Sequence, residues 1–343
     1  MILLRLPSRQ FVWLLCVALG FVALDANGRA AELPLVRIAH GAFSDKIAAL
    51  WIGTEQGLFR KHGVNVEVIN IRSGPQTLAA LASGDIQIAY TIPGTVVSAA
   101  ASGMDVAFFA GIINQADGDF IAAPTIRTPE NLKGKRIGVQ SIGGGVWSMA
   151  MLALEHFGLE PVRDHMTILI IGDSPVLAQS MMSGGIDATY LNYTHSRSLK
   201  EKGFPLLLDM AKAGIPYQGL AAATRRGYLR QNPQIIDSLM RGFAETSAFI
   251  QKPANREIVI RSLAKNLRLK NPQDAEAGYS ALPWLHNLDI KPNVPGIQNM
   301  QRLLALSNPK VKSVITEDVV DETPWQRLEK SAFYRELLAT AKK

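Results

Sequence analysis

Residues 74–90 constrain this chain more than any other stretch. Gly74-Pro75-Gln76-Thr77-Leu78-Ala79-Ala80-Leu81-Ala82-Ser83-Gly84-Asp85-Ile86-Gln87-Ile88-Ala89-Tyr90 reads as a helix, a glycine stop, a polar turn and a strand. Pro75 suits the first helical position, where its missing N–H has no helical partner. Leu78, Leu81 and Ala82 recur at helical spacing, Gly84 ends the helix, and Asp85 turns the chain into Ile86–Tyr90. An extended run, Val64–Asn70, precedes the helix. Strand, helix and strand in this order build a parallel sheet with helices packed on it. The loop before Pro75 presents the free N–H groups of a helix start beyond the strand ends, where a small polar or anionic molecule is readily held.

Residues 1 to about 30 have the layout of a secretory leader. Arg5 and Arg9 give a basic start, Phe11–Leu24 an apolar middle, and Gly28-Arg29-Ala30 a small-residue cleavage context. An uncleaved anchor is the competing reading, but the apolar stretch is shorter than the roughly 20 residues of a spanning helix. Cys16, the single cysteine, lies inside that stretch. Leu15 before it is not the small residue that lipid attachment requires. Beyond the leader no cysteine remains, which excludes disulfides, thiolate metal sites and thiol nucleophiles from the rest of the chain. The formal charge of +7 falls to +5 without the leader, which holds three arginines and Asp25. The basic residues are scattered, and nucleic-acid binding, which needs a continuous or aromatic-interleaved basic face, is not expected. About 310 residues follow the leader, enough for two domains with separate cores.

Along the chain, strands are expected at 36–40, 64–71, 86–90 and 106–113, with helices at 44–61, 75–83 and from Thr95 to Ala101 between them. A second unit begins near Thr128. It has strands at 136–140, 167–171, 188–191 and 206–210, and helices at 146–157 and 174–182. Gly184-Gly185-Ile186-Asp187-Ala188-Thr189-Tyr190 repeats the helix-stop, turn and strand of residues 84–90. Gly219–Thr224 reads as a strand returning to the first unit. From about Asn232 the chain is mostly helical, at 232–251, 254–265, 272–282, 295–306 and 326–342.

The motifs Gly53-Thr54-Glu55-Gln56-Gly57-Leu58-Phe59, Ser73-Gly74-Pro75-Gln76, Ala82-Ser83-Gly84-Asp85-Ile86, Asn131-Leu132-Lys133-Gly134-Lys135-Arg136-Ile137-Gly138-Val139, Leu154–Leu159 and Gly184-Gly185-Ile186-Asp187-Ala188 follow one another in a specific order. Together they resemble the periplasmic substrate-binding proteins of ABC importers in the nitrate/sulfonate/taurine, NMT1/THI5-like group. The resemblance runs from Ile38 to about Gly203, and the tail beyond Gln231 matches only in being helical. It implies an α/β type II periplasmic-binding fold, with two lobes joined by two crossover strands and a ligand clamped between them. Lobe 1 is expected at 32–122 plus 220–343 and lobe 2 at 123–219, with crossings at Ala122-Ala123 and Gly219-Leu220. It also implies periplasmic export, a monomer, an inner-membrane ABC permease as partner, and neither cofactor nor metal.

Four loops at strand ends are then expected to face the cleft. They are Gly41-Ala42-Phe43-Ser44, Ser73-Gly74-Pro75, Thr91-Ile92-Pro93-Gly94-Thr95 and Ser141-Ile142-Gly143-Gly144-Gly145. Backbone N–H groups and the hydroxyls of Thr91, Thr95 and Ser141 are the candidate ligand donors. Any one such loop taken alone reads as a cap or turn; it is the convergence of all four on one cleft that favours binding. Asn192 and Tyr193 replace the Trp and Asp-Pro pair that related proteins often carry, so the usual contacts do not transfer to this chain; Asn192 is a candidate to bond a ligand through its amide donor and acceptor, or a surface-loop residue. Phe43, Trp147 and Tyr193 are candidates to cover an organic ligand, or simply to pack. Arg72 is read as facing solvent.

An exported enzyme on the same fold and a ligand-sensing module for a membrane kinase are the alternative functions. The six histidines show no metal-ligand spacing, and neither a Gly-x-Ser-x-Gly elbow nor a Walker loop occurs. Enzymes of the thiamine-precursor group rely on a cysteine-rich motif that this chain lacks. Asp117 and Asp119 sit in a Gly-containing stretch and read as turn formers.

Overall fold

The computed structural model describes residues 32–41, 43–71 and 74–341, the side chains of Gly74 and Pro75 excepted. The expected leader, Ala42, Arg72 and Ser73 lie outside the described residues. Ten described strands form two five-stranded sheets. The first holds β1 (Leu35–His40), β2 (Asn65–Asn70), β3 (Ile88–Thr91), β4 (Val106–Gly111) and, from late in the chain, Ala221–Arg225. The second holds β5 (Asp119–Ala122), β6 (Arg136–Val139), β7 (Thr167–Ile170), β8 (Ala188–Leu191) and β9 (Leu206–Asp209), so that Ala221–Arg225 is β10.

The spatial orders are β2-β1-β3-β10-β4 and β7-β6-β8-β5-β9. Both follow one plan. Three strands run parallel, and a fourth runs antiparallel between the third and the fifth. In each sheet that reversed strand belongs to chain crossing from, or returning to, the other half. The chain therefore changes sheet through residues 112–118 and again through 210–220. The expected crossing at Ala122-Ala123 falls at the end of β5, which is already paired in the second sheet.

β5 itself was not expected. Its four residues are too few for alternation to register, and its first is the buried Asp119. That carboxylate is tolerated because Lys200 Nζ, 2.6 Å away, and Ser196 Oγ both donate to it.

Fourteen described α-helices cover the sheets: α1 (Ala48–Glu55), α2 (Leu58–Lys61), α3 (Gly74–Ser83), α4 (Pro93–Ala101), α5 (Gly145–His156), α6 (Ser174–Met182), α7 (Tyr193–Glu201), α8 (Arg226–Gln231), α9 (Pro233–Gln251), α10 (Arg256–Asn266), α11 (Glu276–Leu285), α12 (Val294–Leu304), α13 (Thr323–Glu329) and α14 (Ala332–Ala341). The single helix expected over 44–61 is instead a 3₁₀ turn at Asp45–Ile47 followed by α1 and α2. Gly57, at φ 66°, breaks it in a conformation that glycine adopts without steric cost. α7 and the short α8 were not expected either, and the helix expected over 326–342 is divided between α13 and α14.

One face of the first sheet packs on α1, α9, α10 and α11, with Tyr90, Phe59 and Phe243 at the centre. Phe59 meets Phe243 edge-on at 5.2 Å. α9 buries Ile236, Leu239, Met240, Phe243 and Ile250, the apolar stripe of a helix lying on a sheet. The other face packs on α3, α4 and α12 through Leu81, Val96, Val97 and Ile297. The second sheet has its own core, built with α5 and α6 from Phe120, Trp147, Met149, Leu152 and Leu177. Met300 and Leu303 of α12 also enter that second core.

Candidate functional site

The parallel strands β1, β3, β6 and β8 all end on one cavity of about 600 Å³. From the first sheet it takes Gly41, Phe43, Ser44, Thr91, Gly94 and Thr95. From the second it takes Ser141, Gly143, Gly144, Gly145 and Asn192. The sheets bring these expected residues together because each strand hands over to a helix at the same edge. Helices α4, α5 and α6 begin here without a side-chain cap, so their first turns present uncapped N–H groups and the positive end of the helix dipole.

The two rims meet through glycines. A Cβ on Gly94 would stand 2.8 Å from the Gly143 carbonyl oxygen, and one on Gly143, at φ +74°, 2.8 Å from Leu304 Cδ1. Apolar walls come from Ile71, Leu78, Ile92, Ile142, Val146, Leu220 and Leu304.

Lys46, Tyr190 and Tyr217 add a polar floor that sequence reading missed. Lys46 Nζ donates to Asp117 Oδ1 at 2.7 Å and to Tyr190 Oη at 3.0 Å. Burial alone pulls the Lys46 ammonium down. Asp117, Tyr190 and Tyr217 outweigh it and hold the group well above the usual lysine range. Burial pushes the Asp117 carboxyl up against the opposing pull of Lys46, and it pushes the Tyr190 phenol well above its usual range. At neutral pH the geometry is that of an ammonium–carboxylate pair with a protonated phenol beside it.

Ser44, Asp45 and Asn192 form a second polar group beside this floor. Asn192 caps α7, its Oδ1 accepting from His195 N at 3.1 Å and lying 2.7 Å from His195 Nδ1. An oxygen that accepts the backbone N–H must also be the acceptor for the ring, so Nδ1 carries the imidazole proton. Burial lowers the His195 pKa against the opposing charges of Asp45 and Asp173, which keeps the ring neutral. Asn192 Nδ2 donates to Ser44 Oγ at 3.1 Å, and Ser44 Oγ donates to Asp45 Oδ1 at 3.0 Å. Thr194 Oγ1 donates to Asp45 Oδ2 at 2.8 Å. The Asn192 acceptor and the Ser44 proton are therefore committed within the protein, and one Asn192 N–H is left for a ligand.

Three expected residues point elsewhere. Trp147 is buried in the second core, and Pro93 is buried in the first turn of α4. Tyr193 donates to Asp209 Oδ1 at 2.8 Å and packs against the first core. Gly74 opens α3 next to the cavity-lining Thr77 and Leu78, with Pro75 following it. Among the described residues no group of three His, Cys, Asp or Glu side chains is placed to hold a metal ion, and no helix is long and apolar enough to cross a membrane.

Two mixed sheets of identical plan, two crossings and one shared cavity at the strand ends define the type II periplasmic-binding fold. The chain belongs to the NMT1/THI5-like family, whose model matches residues 44–255. It is 24% identical over 272 residues to the taurine-binding periplasmic protein of Escherichia coli K12, covering 76% of this chain and 79% of that protein. Two solved structures share the fold. The alkanesulfonate-binding protein SsuA from Xanthomonas axonopodis pv. citri, bound to MOPS, has a TM-score of 0.68 at 20% identity and covers 85% of this chain and 99% of its own. The periplasmic nitrate-binding protein NrtA from Synechocystis PCC 6803 has a TM-score of 0.68 at 15% identity, covering 86% and 88%. All three are named as binding proteins rather than enzymes.

Proposed function

We propose that this chain is a periplasmic solute receptor of an ABC importer. It holds a small organic solute between two closing lobes and presents the closed form to a membrane permease. The lobes are those expected from the sequence, with residues 119–122 moved to lobe 2. The leader at 1–30 directs export, and the receptor works as a monomer. The observation that carries this reading is the cavity of about 600 Å³ lined from both sheets by the turns that end β1, β3, β6 and β8. That volume lies within the range of small-molecule sites, roughly 300–1,000 Å³, and its walls are largely apolar. No bond need be made or broken, because closure is driven by tighter binding of the solute to the closed form.

The test is a thermal-shift screen of the exported protein against taurine, alkyl and aryl sulfonates, pyrimidines, aromatic acids and nitrate. A ligand at a hundredfold excess over its Kd stabilises by about 2.7 kcal/mol. An organic hit should raise Tm by several degrees, and NMR should return it chemically unchanged after prolonged incubation. A shift by nitrate alone would overturn the organic class, and turnover of the hit would overturn the receptor.

A further inference from the structure

We propose that Asp117 is a specificity-determining residue of this cavity, because it neutralises the cation that faces the ligand. The inference rests on the receptor reading above and concerns the charge of the solute. Lys46 is the basic side chain among the described lining residues. Asp117 sits behind it, in the chain segment that crosses between the sheets, and is 1% exposed, whereas the Lys46 side chain keeps 12% exposure. Two of the three ammonium N–H bonds are used, one on Asp117 and one on Tyr190. The third is the bond available to a ligand acceptor.

A solute oxygen at that third position lies next to the ammonium and within a few ångströms of the Asp117 carboxylate beyond it. The two charges act on the solute with opposite sign. A bare anion therefore gains little from Lys46, although it gives up its hydration on entering. A neutral or dipolar acceptor, such as a sulfonyl, carbonyl or amide oxygen, still receives the N–H bond and escapes the repulsion. The apolar walls of Ile92, Ile142, Val146 and Leu304 then contribute through contact with the body of the solute. The class this favours is an organic solute with an acceptor head and an apolar body, in which the head need not be ionised. At this position small inorganic anions gain little.

The experiment measures Kd by calorimetry for two matched pairs, benzenesulfonate with benzenesulfonamide and benzoate with benzamide. It compares the exported wild-type protein with Asp117→Asn. A unit charge a few ångströms away in a partly screened interior changes Kd by about tenfold to a hundredfold. Asp117→Asn should therefore shift the anion-to-neutral preference toward the anion by that factor, in whichever pair binds. A shift of less than threefold overturns the role of Asp117 while leaving the receptor intact. Failure of both proteins to bind any of the four probes overturns the solute class proposed here, and the broad thermal-shift screen then decides the receptor separately.

Asp117→Asn leaves a buried lysine unpaired, so Lys46→Met/Asp117→Leu is the second variant. It replaces the ion pair with apolar side chains, an exchange that folded proteins often tolerate. It should bind the anionic probe of the pair at least tenfold more weakly than Asp117→Asn or, where that variant does not fold, no more tightly than wild type. Anion binding tighter than wild type in the double variant would show that Lys46 does not face the ligand, and would overturn the inference.

Discussion

At the scale of single residues, the most exposed liability of this protein lies away from its cavity. His286 is fully buried at the end of α11, where its backbone forms an isolated antiparallel bridge with Ile113. Neither of its ring nitrogens finds a partner in the protein. Burial pulls its pKa down to about 3. The folded state therefore keeps the ring neutral while the unfolded chain, near 6.5, takes up a proton. Stability is fully present above pH 6.5 and falls from there toward pH 3, by about 1.4 kcal/mol per pH unit. His286→Leu fills a similar volume and removes both unsatisfied nitrogens. It should raise stability at pH 7 by about 1–3 kcal/mol. It should also reduce the loss between pH 7 and pH 5 by about 2 kcal/mol relative to wild type. Urea unfolding at the two pH values measures both. An unchanged pH slope would mean that the ring titrates in the folded protein near its ordinary value.

At the scale of elements, how legible the sequence was depended on length and on charge. Residues 84–90 and 184–190 carry the same pattern, and the structure uses them alike. Tyr90 and Tyr190 both line the cavity. Gln87 Oε1 accepts from Arg37 N and Asp187 Oδ2 from Arg136 N, each at 2.8 Å, tying the start of β3 to β1 and the start of β8 to β6. That repeat was readable, and with it Tyr190 could have been placed at the site. β5 and α7 were not readable. The first opens on a buried aspartate and the second on Asn192, and both look like loop until a distant partner answers the polar group. Lys46 was hidden for the same reason, since its partner Asp117 is 71 residues away. The glycine rims were legible as turns, although not as a contact. There the prediction is steric. Gly94→Ala puts a methyl group 2.8 Å from a backbone oxygen that cannot rotate aside. The rims must then separate, and Kd for the solute should weaken at least tenfold. Because Gly94 is half-buried in the first turn of α4 and alanine favours helix, Tm without solute should stay level or rise. A variant that binds as wild type would show that the rims need not touch.

At the scale of the whole molecule, the two halves are held together by unlike means. Each sheet has its own apolar core. α12 contributes to both, through Ile297 and Leu304 on one side and Met300 and Leu303 on the other, and α7 does so through Tyr193 and Leu199. Beside Tyr193 the junction at α7 is polar. Ser44, Asp45 and Lys46, three consecutive residues at the end of the first strand-to-helix turn, reach Asn192, Thr194 and Asp117. Such a junction is well suited to open, because water replaces its hydrogen bonds at small net cost, whereas a parted apolar core has no such substitute. Thr194→Val tests this. The change keeps the shape of the side chain and removes the donor to Asp45 Oδ2, leaving a buried carboxylate oxygen unanswered at a cost of about 1–3 kcal/mol. The open form does not bear that cost, since its Asp45 is solvated. The equilibrium should therefore move toward the open form by about tenfold to a hundredfold, and the apparent Kd for the solute should rise by the fraction of closed form lost. Small-angle scattering should give a larger radius of gyration for the solute-free variant than for wild type, and saturating solute should bring the two together. If the variant instead unfolds at lower denaturant with an unchanged radius and Kd, the Asp45–Thr194 bond is part of a fixed scaffold, and the lobes do not close through this junction.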